Sequence, residues 1–259
     1  MDLGLAGRKA IVCASSRGLG KACARALAEA GCEVVINGRD AKTLAATAAE
    51  LSQLTGAKVI VVAADVATAE GQKALLTACP QPDILINNNA GPPLRDFREL
   101  SRQQMIDGLT ANMIVAVELI QKVIDPMLQR RFGRIVNITS GAVKAPLAGL
   151  DLSSGARAGL TAFLAGVART VADKNVTINN ILPGAFDTDR LRGTLSKAAE
   201  TRGKSIAQVA ADRINSIPAK RFGNPAEFGA ACAFLCSTHA GYITGQNLLI
   251  DGGSFPGAF

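Results

Sequence analysis

The sequence predicts a single doubly wound α/β domain, in which a parallel sheet of about seven strands carries helices on both faces. Apolar runs of strand length alternate with helical segments, the pattern of a parallel sheet that is buried on both sides. A glycine-containing turn follows the first of these runs and leads into a helix. Neither a linker rich in Pro, Gly or Ser nor an internal repeat divides the 259 residues, so we expect one domain.

Each element follows from the apolar pattern along the chain. The runs predicted as strands are 9–14, 33–37, 58–63, 83–87, 134–139, 176–182 and 247–250. The segments predicted as helices are 21–30, 41–54, 69–79, 101–130, 152–172 and 226–236. Pro126 is expected to kink the fourth of these helices near its end.

Residues 185–219 differ from the rest of the chain because they are polar, basic and helical in propensity. Gly193 and Gly203 are expected to break this stretch into shorter pieces. We interpret it as a substrate lid over the carboxyl ends of the strands, where open sheets of this kind bind their ligands.

The composition excludes several classes of protein. With 48% hydrophobic and 19% charged residues, the chain can build a large core, which excludes disorder. The N-terminus lacks a basic region before an apolar stretch, and no apolar run approaches the roughly 18 residues that span a bilayer. We therefore expect a cytoplasmic protein without membrane contact. The six cysteines are scattered, as reduced thiols are, and even Cys232 and Cys236 lack partners for a metal site.

The net charge of +7 is concentrated in two stretches, 130–134 and 190–221. They form neither a long run nor a stripe interleaved with aromatic residues, so nucleic-acid binding is not expected. Two interpretations remain open. The first is that the charges line a solvated face, and the second is that they attract an anionic ligand such as a phosphate-bearing cofactor or an acyl carrier.

The turn after the first strand predicts a nucleotide site, because glycines there let a pyrophosphate approach the helix N-terminus. Its residues are Ala14, Ser15, Ser16, Arg17, Gly18, Leu19 and Gly20. The second strand ends in Asn37-Gly38-Arg39 and lacks the acid that binds the ribose of NAD. With Arg17 also near the expected ribose, NADP(H) is favoured over NAD(H). Arg39 could alternatively be a surface turn residue.

A group of motifs along nearly the whole chain resembles the short-chain dehydrogenase/reductase family, and most closely its 3-oxoacyl-[acyl-carrier-protein] reductases. These motifs are the glycine-containing turn, Asp65-Val66, Asn88-Asn89-Ala90-Gly91, Asn112, the stretch from Gly133 to Ser140, Pro183-Gly184 with Thr188, the stretch from Tyr242 to Gln246, and Asp251-Gly252-Gly253. The resemblance implies a Rossmann-type fold, a nicotinamide cofactor and a homotetramer. It also implies that Asp65, Val66, Asn89, Ala90, Gly91, Pro183, Gly184 and Thr188 bind the cofactor together with the turn residues, Arg39 and Arg157.

The chain departs from this family at its chemical centre. The family uses a Tyr and, four residues later, a Lys, whose spacing puts both side chains on one helix face. Thirteen residues after Ser140, as the family spacing requires, stand Ser153 and, four later, Arg157. A serine hydroxyl is a far weaker acid than a phenol, although Arg157 keeps a cation near the ribose. Tyr242, His239 and Asp151 offer poor substitutes, which leaves water held by Ser140 and Ser153 as a proton donor.

The family turn usually begins with glycine, but this chain has Ala14 there. If the position requires a positive φ, alanine is strained.

Two functions remain open at this stage. The first is an NADPH-dependent reductase of a carbonyl compound or acyl thioester, with Asn112, Ser140, Ser153 and Arg157 as catalytic residues and no metal. The second is a catalytically impaired NADP(H)-binding homologue that acts as a sensor or partner subunit, because the two replaced positions are the chemical ones.

Overall fold

The computed structural model describes residues 1–258, which form one seven-stranded sheet with helices on both faces. The strand order is β3-β2-β1-β4-β5-β6-β7, and all neighbouring strands run parallel. The strands are β1 Lys9–Val12, β2 Glu33–Gly38, β3 Val59–Ala63, β4 Ile84–Asn87, β5 Gly133–Ile138, β6 Val176–Pro183 and β7 Asn247–Ile250. The predicted fold class is confirmed. Strands β2 and β3 are added on one side of β1, and β4 to β7 are added on the other side, as in a doubly wound sheet.

Nine α-helices are present within residues 1–258. They are α1 Gly18–Glu29, α2 Ala41–Thr55, α3 Ala69–Ala78, α4 Arg102–Leu109, α5 Val115–Arg130, α6 Asp151–Val171, α7 Asp189–Arg202, α8 Ile206–Ser216 and α9 Pro225–Cys236. Buried residues of α1, α2 and α9 form one core against the sheet, and those of α3, α5 and α6 form a second core on its other face. Side chains that alternate along a strand supply both cores: Ala10 and Val12 enter the first, and Ile11 enters the second.

The helix predicted over 101–130 is divided by a π-helical turn at Thr110–Ile114, called here the π-turn. Ser101 caps the N-terminus of α4 and forms a reciprocal capping box with Gln104. Helix α5 continues past Pro126 to Arg130, so the proline does not end it. Periodicity could not indicate the π-turn, because one extra residue in a turn leaves the apolar pattern on both sides intact.

The predicted excursion at 185–219 contains α7 and α8, which share a small apolar cluster of their own around Leu195, Ala199 and Val209. Phe186, near its start, forms an isolated parallel bridge with Gly223, four residues after its end. The expected break at Gly193 is wrong, because α7 runs through that residue. Gly203 does end α7, with a left-handed φ of +61°. We call residues 185–219 the lid.

Within the basic stretch 130–134, Arg134 belongs neither to a solvated face nor to a ligand site. Both interpretations are therefore wrong for this residue. Arg134 is 1% exposed and donates to the carbonyl oxygens of Ser237 and Asn175 at 3.1 and 2.8 Å. Its guanidinium carbon lies 4.4 Å from the centre of the Phe132 ring. Arg130 donates to Pro82 and lies near Asp83. These side chains fasten the amino-terminal edge of the sheet.

Candidate functional site

The turn after β1 is held by a network of hydrogen bonds around Asn37. Its Oδ1 accepts from the Ala14 amide at 3.3 Å, and its Nδ2 donates to the carbonyls of Val62 and Ala64 at 3.1 and 2.9 Å. Buried Ser15 accepts from the Asn37 amide at 3.0 Å and donates to Val12. These bonds tie the carboxyl ends of β1, β2 and β3 together, so the turn has a fixed position at the sheet edge.

The backbone of this turn passes close to the first residues of α1. A Cβ atom on Gly20 would lie 2.4 Å from the Ala14 carbonyl oxygen, so no larger residue fits there. Asn88 Nδ2 donates to the same carbonyl at 3.1 Å. Ala14 itself has φ of +44°, so the strain expected for an alanine at this position is present. The result is a helix N-terminus at the sheet edge, with Ser16 just before it and Leu19 in its first turn, where an anion would meet backbone amides.

Two arginines lie beside the carboxyl end of β2. Arg17, the N-cap residue of α1, and Arg39 are both exposed. Hydrogen bonds from Thr43, and after them the charge of Arg17, lower the pKa of Asp40. Ser16 lies against Gly38, with its Oγ 3.2 Å from the position of a Cβ there. This corner of the crevice can accept a phosphate.

The other loops predicted from motifs reach the same edge. Asp65 follows β3 and accepts from the Ala67 amide at 2.9 Å, while the next residue, Val66, is buried in the core. Asn89 follows β4 and accepts from the Ala90 amide at 2.8 Å. Pro183 ends β6, Gly184 follows it, and Thr188 caps α7. The methyl group of Thr188 lies 3.9 Å from the Cβ position of Gly18, so the lid meets the N-terminus of α1 across the crevice.

Ser153 and Arg157 lie one turn apart on α6 and are hydrogen-bonded to each other. Arg157 Nε donates to Ser153 Oγ at 3.2 Å, and its Nη1 donates to the Ile138 carbonyl oxygen at 2.8 Å. Both side chains are buried. Burial and, after it, the charge of Arg190 lower the pKa of Arg157 to about 10. The guanidinium therefore stays charged at neutral pH, with its Nε and Nη1 bonded to the protein.

Ser140 follows β5 and begins a short 3₁₀ helix, where its Oγ accepts from the Ala142 amide at 3.1 Å. Within residues 1–258 no hydrogen bond joins Ser140 to Ser153. Each serine oxygen accepts a hydrogen bond from the protein, so each hydroxyl hydrogen is free to be donated to a ligand.

Asn112 lies in the π-turn and is buried. Its Nδ2 donates to Gly108 at 3.2 Å and to Ala90 at 3.5 Å, whereas its Oδ1 has no partner within residues 1–258. Asn87 Oδ1 is also without a partner there. Both side chains and Arg157 line a cavity of about 20 Å³. A cavity of that size holds about one water molecule, which could donate to both oxygens.

Asn87 is also the first member of an asparagine ladder that crosses the sheet. Asn87 Nδ2 donates to Asn137 Oδ1 at 2.9 Å, Asn137 Nδ2 to Asn180 Oδ1 at 3.1 Å, and Asn180 Nδ2 to Asn247 Oδ1 at 2.8 Å. The four residues are register partners on β4, β5, β6 and β7. Motif analysis missed this ladder, because only the register of the strands brings the asparagines together.

Arg190 was also missed as a separate site residue. The sequence shows it only as one member of a basic stretch, although it stands two residues after Thr188. Its Nη2 and Nη1 lie 2.9 and 3.2 Å from the Cβ position of Gly91, so the side chain crosses from the lid to the loop after β4.

The other candidate proton donors are exposed at the protein surface. Tyr242 is fully exposed, Asp151 is exposed at the start of α6, and His239 is exposed with its Nε2 2.7 Å from the Asp2 carbonyl oxygen.

Comparison with known proteins places this arrangement among reductases. A family model described as enoyl-(acyl carrier protein) reductase matches residues 13–254. The NADPH-dependent reductase BacG of Bacillus subtilis (strain 168) is 32% identical over 95% of this chain and 97% of its own. The 3-oxoacyl-[acyl-carrier-protein] reductase FabG of Vibrio cholerae is 33% identical over 98% of this chain and 99% of its own.

A solved structure has the same architecture. L-sorbose reductase of Gluconobacter frateurii, complexed with NADPH and L-sorbose, superposes with a TM-score of 0.94 at 28% identity and covers 99% of this chain and 100% of its own. The likeness in sequence and structure extends over nearly the full length of all these proteins. This chain therefore belongs to the short-chain dehydrogenase/reductase family.

Proposed function

We propose that this chain is an NADPH-dependent oxidoreductase that reduces a carbonyl group, with a Ser/Arg pair in place of the family Tyr and Lys. The observation that carries the proposal is the 3.2 Å hydrogen bond from Arg157 Nε to Ser153 Oγ on the face of α6 next to β5. It supports a chemical role because a buried cation is directed at the one hydroxyl that stands where the family has its phenol. The similar reductases named above support the same reaction class.

The residues present fit NADPH. The N-terminus of α1 suits a diphosphate, and Arg17 and Arg39 suit the 2′-phosphate. Asp65, Val66 and the loop from Asn89 to Gly91 would border the adenosine and the central part of the cofactor. Pro183, Gly184 and Thr188 would border the nicotinamide end. When bound, NADPH supplies a hydride to the carbonyl carbon.

Ser153 is the proton donor in this proposal. Arg157 occupies an acceptor site on Ser153 Oγ, so the hydroxyl hydrogen is free to meet the substrate oxygen. The adjacent positive charge stabilises the Ser153 oxygen after proton transfer. Ser140 donates a second hydrogen bond to the developing alkoxide. The chain thus replaces one acidic phenol with a weak acid beside a buried cation.

The cavity behind Arg157 has room for one ordered water molecule, which would support this end of the site. Asn112 and Asn87 each offer an unpartnered oxygen to a water molecule in this cavity. Such a water lies between the π-turn and the guanidinium of Arg157. Asn112 therefore acts by keeping the π-turn open and by holding the water in place.

Three further features belong to this proposal. The lid selects the substrate, and 3-oxoacyl thioesters are the first compounds to test because FabG of Vibrio cholerae carries that activity in its name.

The protein acts in the cytoplasm. It forms a homotetramer, which the exposed apolar side chains of Ile106, Leu109 and Ile114 near the π-turn and of Phe163 on α6 support. No helix within residues 1–258 has the length and apolar character needed to cross a bilayer.

The test measures NADPH oxidation with acetoacetyl thioesters, diketones and aldehydes. We expect turnover by the wild type, and a loss of about 100-fold in kcat for Ser153→Ala and for Ser140→Ala, because each removes a donor to the alkoxide. The affinity for NADPH, measured by fluorescence titration, should not change. Ser154→Ala is the matched control, because Ser154 is equally buried but donates to the Leu150 carbonyl within its own helix.

A Ser153→Tyr, Arg157→Lys double variant separates the two functions. Undiminished turnover in Ser140→Ala or Ser153→Ala would refute the assignment of these serines. A wild type that binds NADPH but reduces nothing, next to an active double variant, would show that the chemistry has been removed. The chain would then be a cofactor-binding sensor or partner subunit.

A further inference from the structure

Gly91, in the loop after β4, leaves the space that the guanidinium of Arg190 occupies. The three atoms nearest to a Cβ placed on Gly91 are Nη2, Nη1 and Cζ of Arg190, at 2.9, 3.2 and 3.5 Å. Gly91 does not have a positive φ, so its backbone conformation is open to other residues. What the position requires is therefore room for the arginine, whose guanidinium lies against the backbone of the loop.

The N–H groups of this guanidinium have no acceptor within residues 1–258. No salt bridge there includes Arg190, and only its backbone carbonyl takes part in a bond with a side chain, that of Thr194. By contrast, Arg192 in the same turn of α7 is paired with Asp187 at 2.9 Å. Arg190 is also exposed, so a ligand in the crevice can reach a cation whose donors are all free.

Two contacts place Arg190 beside the N-terminus of α1. Thr188, the N-cap residue of α7, has its methyl group 3.9 Å from the Cβ position of Gly18, the first residue of α1. Asn88, in the loop after β4, has its Nδ2 2.9 Å from the Cβ position of Gly20. The lid and the loop after β4 thus both border this N-terminus, and the side chain of Arg190 connects these two borders.

We propose that Arg190 binds the diphosphate of the cofactor, at the phosphate nearer to the nicotinamide. A guanidinium suits a phosphate because two of its N–H groups can donate to two of the oxygens. Arg190 belongs to the lid, which borders the nicotinamide end in the proposed function, whereas the amides of α1 meet the diphosphate from the sheet. The inference rests on the proposed function, since it adds a residue outside the sequence motifs to the same cofactor site.

The experiment measures the affinities of three nucleotides by titration calorimetry for the wild type, Arg190→Gln and the control Arg192→Gln. NADPH and 2′-phospho-ADP-ribose contain both phosphates of the diphosphate, whereas 2′,5′-ADP contains only the one next to the adenosine. We expect Arg190→Gln to weaken binding of the first two by about 10-fold, the effect of charge-assisted hydrogen bonds, and to leave 2′,5′-ADP unaffected. Arg192→Gln should bind all three as the wild type does, because Arg192 is paired with Asp187 at the surface.

A second set of variants tests the contact with Gly91. A methyl group there would lie 2.9 Å from Nη2 of Arg190, so Gly91→Ala should displace the guanidinium. The loss of NADPH affinity caused by Gly91→Ala should then be smaller in an Arg190→Gln background than in the wild type, because the displaced group is already absent. Additive losses would show that Arg190 does not bind the cofactor from this position.

The outcomes distinguish this inference from the proposed function. Unchanged NADPH affinity in Arg190→Gln, or an equal loss of affinity for 2′,5′-ADP, overturns the inference and leaves carbonyl reduction standing. A wild type that binds none of the three nucleotides overturns the cofactor assignment of the proposed function, and the inference with it.

Discussion

In the turn after β1, Ala14 has a backbone conformation that alanine disfavours. With φ of +44°, it lies in a region where a Cβ atom crowds the backbone. Its amide and carbonyl are both held, by Asn37 and Asn88, so the turn imposes this conformation on the residue. The turn after β1 is thus built at some cost in stability, as strained positions at functional sites commonly are.

Replacing Ala14 with glycine should stabilise the protein. Relief of strain at a positive φ contributes about 1–2 kcal/mol, and the greater freedom of glycine in the unfolded chain cancels about 0.5–1 kcal/mol of it. We expect a net gain of about 0.5–1 kcal/mol and a rise in Tm of about 2 °C, measured by thermal unfolding. Ala46→Gly, at an exposed position inside α2, should instead lower Tm. A fall in Tm for Ala14→Gly would show that the turn bears no strain.

At the scale of elements, four strands are joined by side chains as well as by their backbones. The asparagine ladder runs from buried Asn87 and Asn137 through Asn180 to exposed Asn247. Interior members can satisfy their amides only in the native register, because a slip by one residue would turn each side chain to the other face. The ladder therefore fixes the relative positions of β4 and β5. The loop that contains Asn89 follows β4, and Ser140 follows β5.

Asn137→Ala should be strongly destabilising. It removes the acceptor for Asn87 Nδ2 and the donor to Asn180 Oδ1, and it leaves buried polar groups without partners. We expect the free energy of unfolding in urea to fall by about 3 kcal/mol. Asn247→Ala removes only the exposed end of the ladder and should cost less than about 1 kcal/mol. Equal losses in the two variants would mean that the ladder adds nothing to the backbone pairing.

For the molecule as a whole, burial protects every thiol. All six cysteines are free and buried. They lie in the two cores on opposite faces of the sheet. Desolvation raises the pKa of Cys13 and of Cys32 to about 12, and that of Cys236 well above its ordinary value. A raised pKa keeps a thiol protonated, and the protonated form is the unreactive one.

The native protein should therefore resist thiol reagents. At pH 8, well below about 12, we expect an aromatic disulfide reagent to react with none of the cysteines of the folded chain during a time in which all six react in denaturant. Absorbance of the released thiolate reports the count. One native cysteine that reacted as fast as in the unfolded chain would reveal an opening of the core that the structure does not show.

The sequence by itself determined the fold class, the succession of strands and helices, and the edge of the sheet at which the motif-bearing loops meet. It could do so because the period of the apolar pattern and the glycine-containing turn are local properties of the chain. It also located Ser153 and Arg157, since residues four apart on a helix share one face. Only the tertiary structure decided what depends on contacts between distant segments: the bond from Arg157 to Ile138, the burial of Arg134, the asparagine ladder and the reach of Arg190 across to Gly91. In each case the partners are at least 19 residues apart, so their meeting is set by strand register and helix packing rather than by any local pattern.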